Sequence, residues 1–325
     1  MFVSCSKDDT NKFEEQDSYE ISLALGGEMV DVSEIPLAKS EEAKKYYGIN
    51  VLCMKTDGSE SEYAPYACGV FDNIADMKIS LLDGYKYKFE CTSLIEREDR
   101  LYIRSSTNSF IQQSPFSEYS LEYLNKFISN YVNLPLTIMP LMVQGTVSRY
   151  YPKMDRYYGI LEEYVPSKNG KAIIPMKRTA FGLEVKISED IPDGELSFDI
   201  KIEKVNDSYY KEHHSSNDNL SSSGEKKEMA YIFTLRDIVA CWENSDYSVE
   251  CCVDFTWKRE SGYEQKFSKE FIAKRNVMTV MNLTLNGGSS EQGIGTSEEG
   301  DGGTETIDVT FDGGSGNDTT VNPEE

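Results

Sequence analysis

The sequence predicts an all-β chain built from two successive sets of strands, with only a few short helices. Three observations carry this. Apolar and polar residues alternate at a two-residue period in segment after segment, as in antiparallel strands with one wet face. Segments with helical spacing are too few for a sheet alternating with helices. The strands group into one run from about 19 to 147 and another from about 171 to 286, and the stretch between them is punctuated by Pro152, Pro166 and Gly170.

In chain order, "YEISLALGG" opens the strands at 19–25, and further strands are expected at 49–55 and 65–71. Ile79 and Leu81 precede Asp83-Gly84, a hairpin-type turn dipeptide. "YKYKFECT" then sets Tyr85, Tyr87, Phe89 and Cys91 on one face and Lys86, Lys88, Glu90 and Thr92 on the other. A strand at 101–104 follows. Residues 114–133 are the best helix candidate, with Ser114 as cap and Pro115 at the first position. Leu121, Leu124, Phe127 or Ile128, and Tyr131 recur there at three- and four-residue spacing. The tyrosine-rich stretch 149–171 fits either a linker or a last strand of the first set followed by a turn.

The second set begins with strands at 172–176 and 181–187 and a turn at Pro192-Asp193-Gly194. "ELSFDIKIEK" places Leu196, Phe198, Ile200 and Ile202 inward, and "SVECCVDFTWKR" does the same with Val249, Cys251, Val253, Phe255 and Trp257. Between them, residues 206–228 are polar and nearly free of aliphatics, so they read as an exposed loop carrying His213 and His214. "TLRDIVACWEN" is a shorter helix candidate, with Thr234 and Asp237 spaced as in a weak capping box. Strands at 265–272 and 277–285 close the set. The expected organisation is a flexible acidic tether at 1–18, domains at 19–165 and 166–287, and a tail at 288–325.

From Gly287 to Glu325 there are 10 acidic residues, 10 glycines and no Lys or Arg, too polar to bury a core of its own. Within it, residues 305–312 carry Ile307, Val309 and Phe311 at a two-residue period. They are either a chance pattern in a solvated tail or a strand that pairs with something.

Acidic residues number 56 against 33 basic, for a formal charge of -23. Nucleic acid is therefore not an expected partner, because its binding needs a basic footprint. Basic-patch attachment to an anionic membrane is not expected, on the same ground. Two histidines leave no material for a His-rich metal site. The seven cysteines match no zinc spacing and are expected to be mostly free, buried thiols. No nucleotide-binding, zinc-protease, nucleophile-elbow or calcium-loop motif occurs, so neither an enzyme nor a cofactor is expected. "SRYYPKMDRYYG" gathers Tyr150, Tyr151, Tyr157 and Tyr158 beside arginines, a set that either stacks on a sugar, packs at an interface or serves ordinary packing.

"FVSCSKDD" resembles the lipobox end of a bacterial lipoprotein precursor, with Cys5 the residue to be lipidated. Ser6, Lys7, Asp8 and Asp9 behind it resemble the export signal of Bacteroidetes surface lipoproteins. The basic and most of the apolar part of such a leader are absent, as expected either if the start is assigned too late or if the chain is trimmed. Three stretches resemble the Bacteroidetes fimbrillin family, the FimA/Mfa1-like fimbrial subunit lipoproteins. They are the lipobox feeding "YEISLALGG", residues 173–202, and residues 267–287 with Arg275-Asn276 leading into a final strand.

The resemblance implies two tandem transthyretin-like Greek-key β-sandwich domains. It implies a palmitate-bearing lipoprotein of the cell outer membrane that serves as a structural subunit, anchor or tip adhesin of fimbriae. In such relatives an N-terminal segment is removed by proteolysis and a strand from another subunit fills the groove, a form of β-augmentation. Here the segment is about 19–45, Lys39, Lys44 and Lys45 are candidate cut sites, and Ile307, Val309 and Phe311 mark a candidate donor strand. Expected partners are other fimbrial subunits or further copies of the chain, with host protein or glycan beyond them. The alternative is a monomeric surface lipoprotein that binds glycan or host protein through its aromatic-rich surface.

Overall fold

Alternating apolar residues need a partner surface, and the chain supplies two. The computed structural model describes residues 17–28, 44–96, 124–129, 133–137, 155–187, 194–205, 208–214, 220–221, 228–260, 262, 264–286 and 304–312. Its first sheet contains β1 (Ser18–Gly27), β2 (Lys44–Lys55), β3 (Ala64–Phe71), β4 (Lys78–Leu82), β5 (Tyr85–Glu96), β6 (Lys126–Ile128), β7 (Asp155–Tyr164) and β8 (Lys171–Arg178). Their order is β4-β1-β8-β7-β5-β2-β3-β6. The sheet curls until β3 and β4 approach, where the Tyr66 hydroxyl donates to the Ser80 carbonyl at 2.7 Å. Ile21, Leu23, Ile49, Val51, Phe71, Leu81, Phe89, Ile174 and Met176 fill its interior. Each such large side chain contributes roughly 1.5–3 kcal/mol by leaving water.

The second core lies between two sheets. One comprises β10 (Glu195–Val205), β11 (Ser208–His214), β12 (Leu220–Ser221), β14 (Ser248–Lys258) and β15 (Glu264–Lys274), and the other β9 (Ala180–Ile187), β13 (Glu228–Thr234), β16 (Met278–Asn286) and β17 (Thr304–Asp312). Phe181, Leu183, Phe233 and Met281 face Phe198, Ile200, Val253, Phe255 and Trp257 across the sandwich. The all-β expectation holds, as does the inward face assigned to β10 and β14.

Several local expectations are corrected. Gly84 adopts the turn conformation with φ of 76°, but β4 pairs with β1 rather than with β5. The Tyr87 hydroxyl replaces the missing ladder, accepting from the Leu82 N–H (2.8 Å) and donating to the Leu82 carbonyl (3.2 Å). Lys126–Ile128, expected in a helix, pairs with β3. Asn125, at φ of 62°, closes onto Asp72: its Oδ1 accepts from the Asp72 N–H and its Nδ2 donates to the Asp72 carboxylate. The rest of that expected helix beyond 124–129 and 133, and the strand at 101–104, lie outside the described residues. Residues 155–164 resolve as β7, between β5 and β8.

The strand expected at 172–176 as the opening of the second set is β8, and it belongs to the first sheet. Part of the expected loop 206–228 forms β11 and β12 on β10; a solvated edge tolerates polar sequence. The short helix, α1, spans Ile238–Glu243 and is capped by Asp237, whose carboxylate accepts from the Ala240 N–H at 2.9 Å. Thr234 is the last residue of β13.

The outer face of the first sheet is not wholly wet. Tyr46, Val70, Leu94 and Tyr158 are covered there by Leu134, Leu136 and Ile238 of α1. The Asn50 side chain grips Leu134 by both its N–H and its carbonyl, each at 2.8 Å. Buried Arg156 donates to Thr92 Oγ1 at 2.9 Å and to the Leu136 carbonyl. Burial pushes its guanidinium down to about 9, which still leaves it charged at neutral pH. Among the described residues, Cys53, Cys68, Cys91, Cys241, Cys251 and Cys252 take part in no disulfide, and all but Cys53 are buried.

Candidate functional site: the β1 slot and its charged junction

β1 occupies an interior slot of the first sheet. It runs antiparallel to β4, with Ile21 opposite Ile79, and parallel to β8, with Ser22 opposite Lys171 and Gly27 opposite Met176. The period of two turns Ile21 and Leu23 inward, at 0% and 3% exposure. Gly27 ends the strand at φ of 88°, and a Cβ there would stand 2.3 Å from the Met176 carbonyl oxygen. Only glycine combines that backbone conformation with so close an approach.

The next residue leads out of the slot into a group of charges. The Glu28 N–H donates to the Met176 carbonyl at 2.9 Å. Its carboxylate accepts from Arg275 Nη1 (2.5 Å), Arg275 Nη2 (3.1 Å) and the Arg178 N–H (3.1 Å). This is a bidentate pair, the strong form of guanidinium–carboxylate contact. The Arg275 side chain is 5% exposed, against 29% for that of Glu28. Arg275 also donates to the carbonyls of Arg178 (3.0 Å) and Ser245 (3.3 Å).

Arg178 in turn makes a bidentate pair with Asp155, at 2.8 and 3.1 Å. Burial alone would lower the Arg178 guanidinium, but the Asp155 carboxylate outweighs it and the group rises above its ordinary value. Two arginines and two carboxylates thus meet where β1, β7, β8 and β15 end or begin. Beside them, the Trp242 indole N–H of α1 donates to the Pro175 carbonyl at 3.1 Å, and Lys177 Nζ donates to the Trp242 carbonyl at 2.6 Å.

Among the residues singled out from sequence, Lys44 and Lys45 are the first residues of β2, opposite Glu96 and Ile95 of β5. Ile307, Val309 and Phe311 lie in β17, parallel to β16 and opposite Met281, Leu283 and Leu285. Tyr157 and Tyr158 are buried, at 0% and 1% exposure, on opposite sides of β7, so these two form no surface platform. They are neighbours on a central strand covered on both faces. His213 and His214 stand on β11, opposite Ile200 and Asp199. Cys5, Ser6, Lys7, Asp8, Asp9, Lys39, Tyr150 and Tyr151 lie outside the described residues. Among the described residues no cluster of His, Cys, Asp or Glu can hold a metal ion.

The junction itself was not anticipated. Arg275-Asn276 stood out only as texture, and nothing in the sequence joins Arg275 to a glutamate 247 residues away.

The fold and junction define an all-β chain with two cores whose first described strand is seated in a sheet and tied by charge to Arg275, 247 residues on. No family model matches the chain, and no curated protein matches it. The solved structures it is similar to include three from Bacteroidetes. The fimbrial anchor protein Mfa2 from Porphyromonas gingivalis is 10% identical, with 77% of this chain and 82% of that chain covered and a TM-score of 0.30. A Bacteroides ovatus chain provisionally described as an adhesin is 9% identical, with 83% and 88% covered and a TM-score of 0.31. Another, provisionally described as a cell adhesion protein from the same species, is 7% identical, with 83% and 92% covered and a TM-score of 0.35.

Proposed function

We propose that this chain is a fimbrillin-like surface lipoprotein, a structural subunit, anchor or tip adhesin of fimbriae, held to the outer membrane through Cys5 and assembled by strand exchange. In this reading two units divide at Thr179, between β8 and β9. The observation that carries it is the β1 slot. Loss of β1 would strip hydrogen-bonding partners from both β4 and β8 and uncover the pockets of Ile21 and Leu23, the condition under which an incoming strand binds by augmentation.

β17 has the pattern to fill it. Setting Ile307 on Ile21 places Val309 on Leu23, Phe311 on Leu25 and Gly313 on Gly27, the position where a side chain would strike Met176. In its own chain β17 has one described ladder, on β16, so transfer to another copy exchanges one ladder for two.

The test is expression of the full precursor in a Bacteroidetes host. Sheared surface fractions are then examined by intact mass and non-boiled gel. Lipidated Cys5 and a ladder of oligomers lacking residues 19–45 are expected. A lipidated monomer that keeps residues 19–45 would refute strand exchange.

A further inference from the structure

We propose that the Arg275–Arg178 junction is a carboxylate-binding site that locks the strand seated in the β1 slot by reading the residue that follows it. The reading of the slot as exchangeable is the one given above; the lock itself rests on Glu28. That residue is the first beyond β1, and its carboxylate is held by three N–H groups: the backbone N–H of Arg178 at the end of the neighbouring β8, and two of the Arg275 guanidinium just beyond β15. Arg275 is nearly dry, so a strand that leaves without replacing this carboxylate strands a buried cation whose remaining acceptors are two backbone carbonyls. The cost falls on opening the slot, and it acts on β1 although the apolar contacts of β1 are untouched.

The site therefore discriminates among occupants. It favours an extended peptide with an acidic residue immediately after the glycine that stands at Gly27. In the alignment of β17 on β1, Gly314 takes the place of Glu28, so this chain's own tail enters the slot without the lock. A tighter partner is an acidic peptide that satisfies both the glycine and the carboxylate.

The deciding experiment is hydrogen exchange on the full chain. In E28Q the amides of β1 should exchange about tenfold faster or more, while those of β2 and β14 keep their wild-type rates. High salt should bring wild type toward the variant, E28D should fall between them, and adding R275Q to E28Q should change β1 little further. Unchanged exchange in β1 overturns the proposal, and so does a uniform acceleration across all strands, the mark of a merely structural contact. A separate arm adds peptide 304–316 and its Gly314→Glu form to the chain and reads binding by native mass spectrometry. Tighter binding of the Gly314→Glu form, lost in R275Q, supports carboxylate reading; equal binding of the two overturns it. Failure of both peptides to bind counts against strand exchange alone, since the exchange rates in β1 decide the lock without them.

Discussion

β1 and β17 are the first and last described strands, and both run parallel to a partner. β1 has a neighbour on each side and its pockets lie inside a closed core. β17 ends its sheet, with β16 as its one partner in the described ladder. Similar alternation therefore yields an integral strand at one end and an edge strand at the other. What separates them is the number of ladders and the Glu28 contact that follows β1, not apolar content.

That contrast can be broken from the β1 side. Ile21→Ala should cost the most, about 2–5 kcal/mol, because it empties a fully buried site in the curled sheet. Denaturant melts should show the loss in the unfolding of the first core, with Trp257 fluorescence, read in a Trp242→Phe background, tracking the second core. Gly27→Ala should come next, at about 1–3 kcal/mol, from a left-handed backbone and a Cβ against the Met176 carbonyl. A loss under about 0.5 kcal/mol would mean that the end of β1 relaxes freely.

Trp242→Phe should cost about 1 kcal/mol by removing the indole donor from Pro175, also read by denaturant melt. The smallest effect should follow deletion of residues 304–325. The second core should keep its unfolding free energy to within about 1 kcal/mol, since β17 sits at the edge of its sheet with one described ladder. A large drop there would make β17 as integral as β1 and erase the contrast.

How much was legible follows from where side chains meet water. β10 alternates because its outer face stays partly solvated, and β14 does so apart from buried Cys252, so the sequence showed their inward residues. β7 was ambiguous because Asp155, Arg156, Tyr157, Tyr158 and Gly159 are all buried, so no alternation survives. β11 was misread because an edge strand needs no apolar face. Lys126–Ile128 was misread because tertiary pairing with β3 overrode helical spacing. The slot was half legible: the strand at 19–25 was expected, but not its parallel seat against β8. The junction was illegible, since an ion pair between residues 28 and 275 leaves no local periodicity.

The seat of β1 also has a mechanical meaning. Its ladders to β4 and β8 run along the strand, so a pull on the N-terminal end in that direction loads them in shear. The hydrogen bonds then share the force and must yield together, whereas a pull across the strand would open them one after another. Glu28, clasped by Arg275 at the far end of the strand, lies where it resists the sliding that shear demands. A pull applied ahead of Ser18 would therefore meet the two ladders of β1 and the Glu28 clasp together, and the first core would be loaded through them.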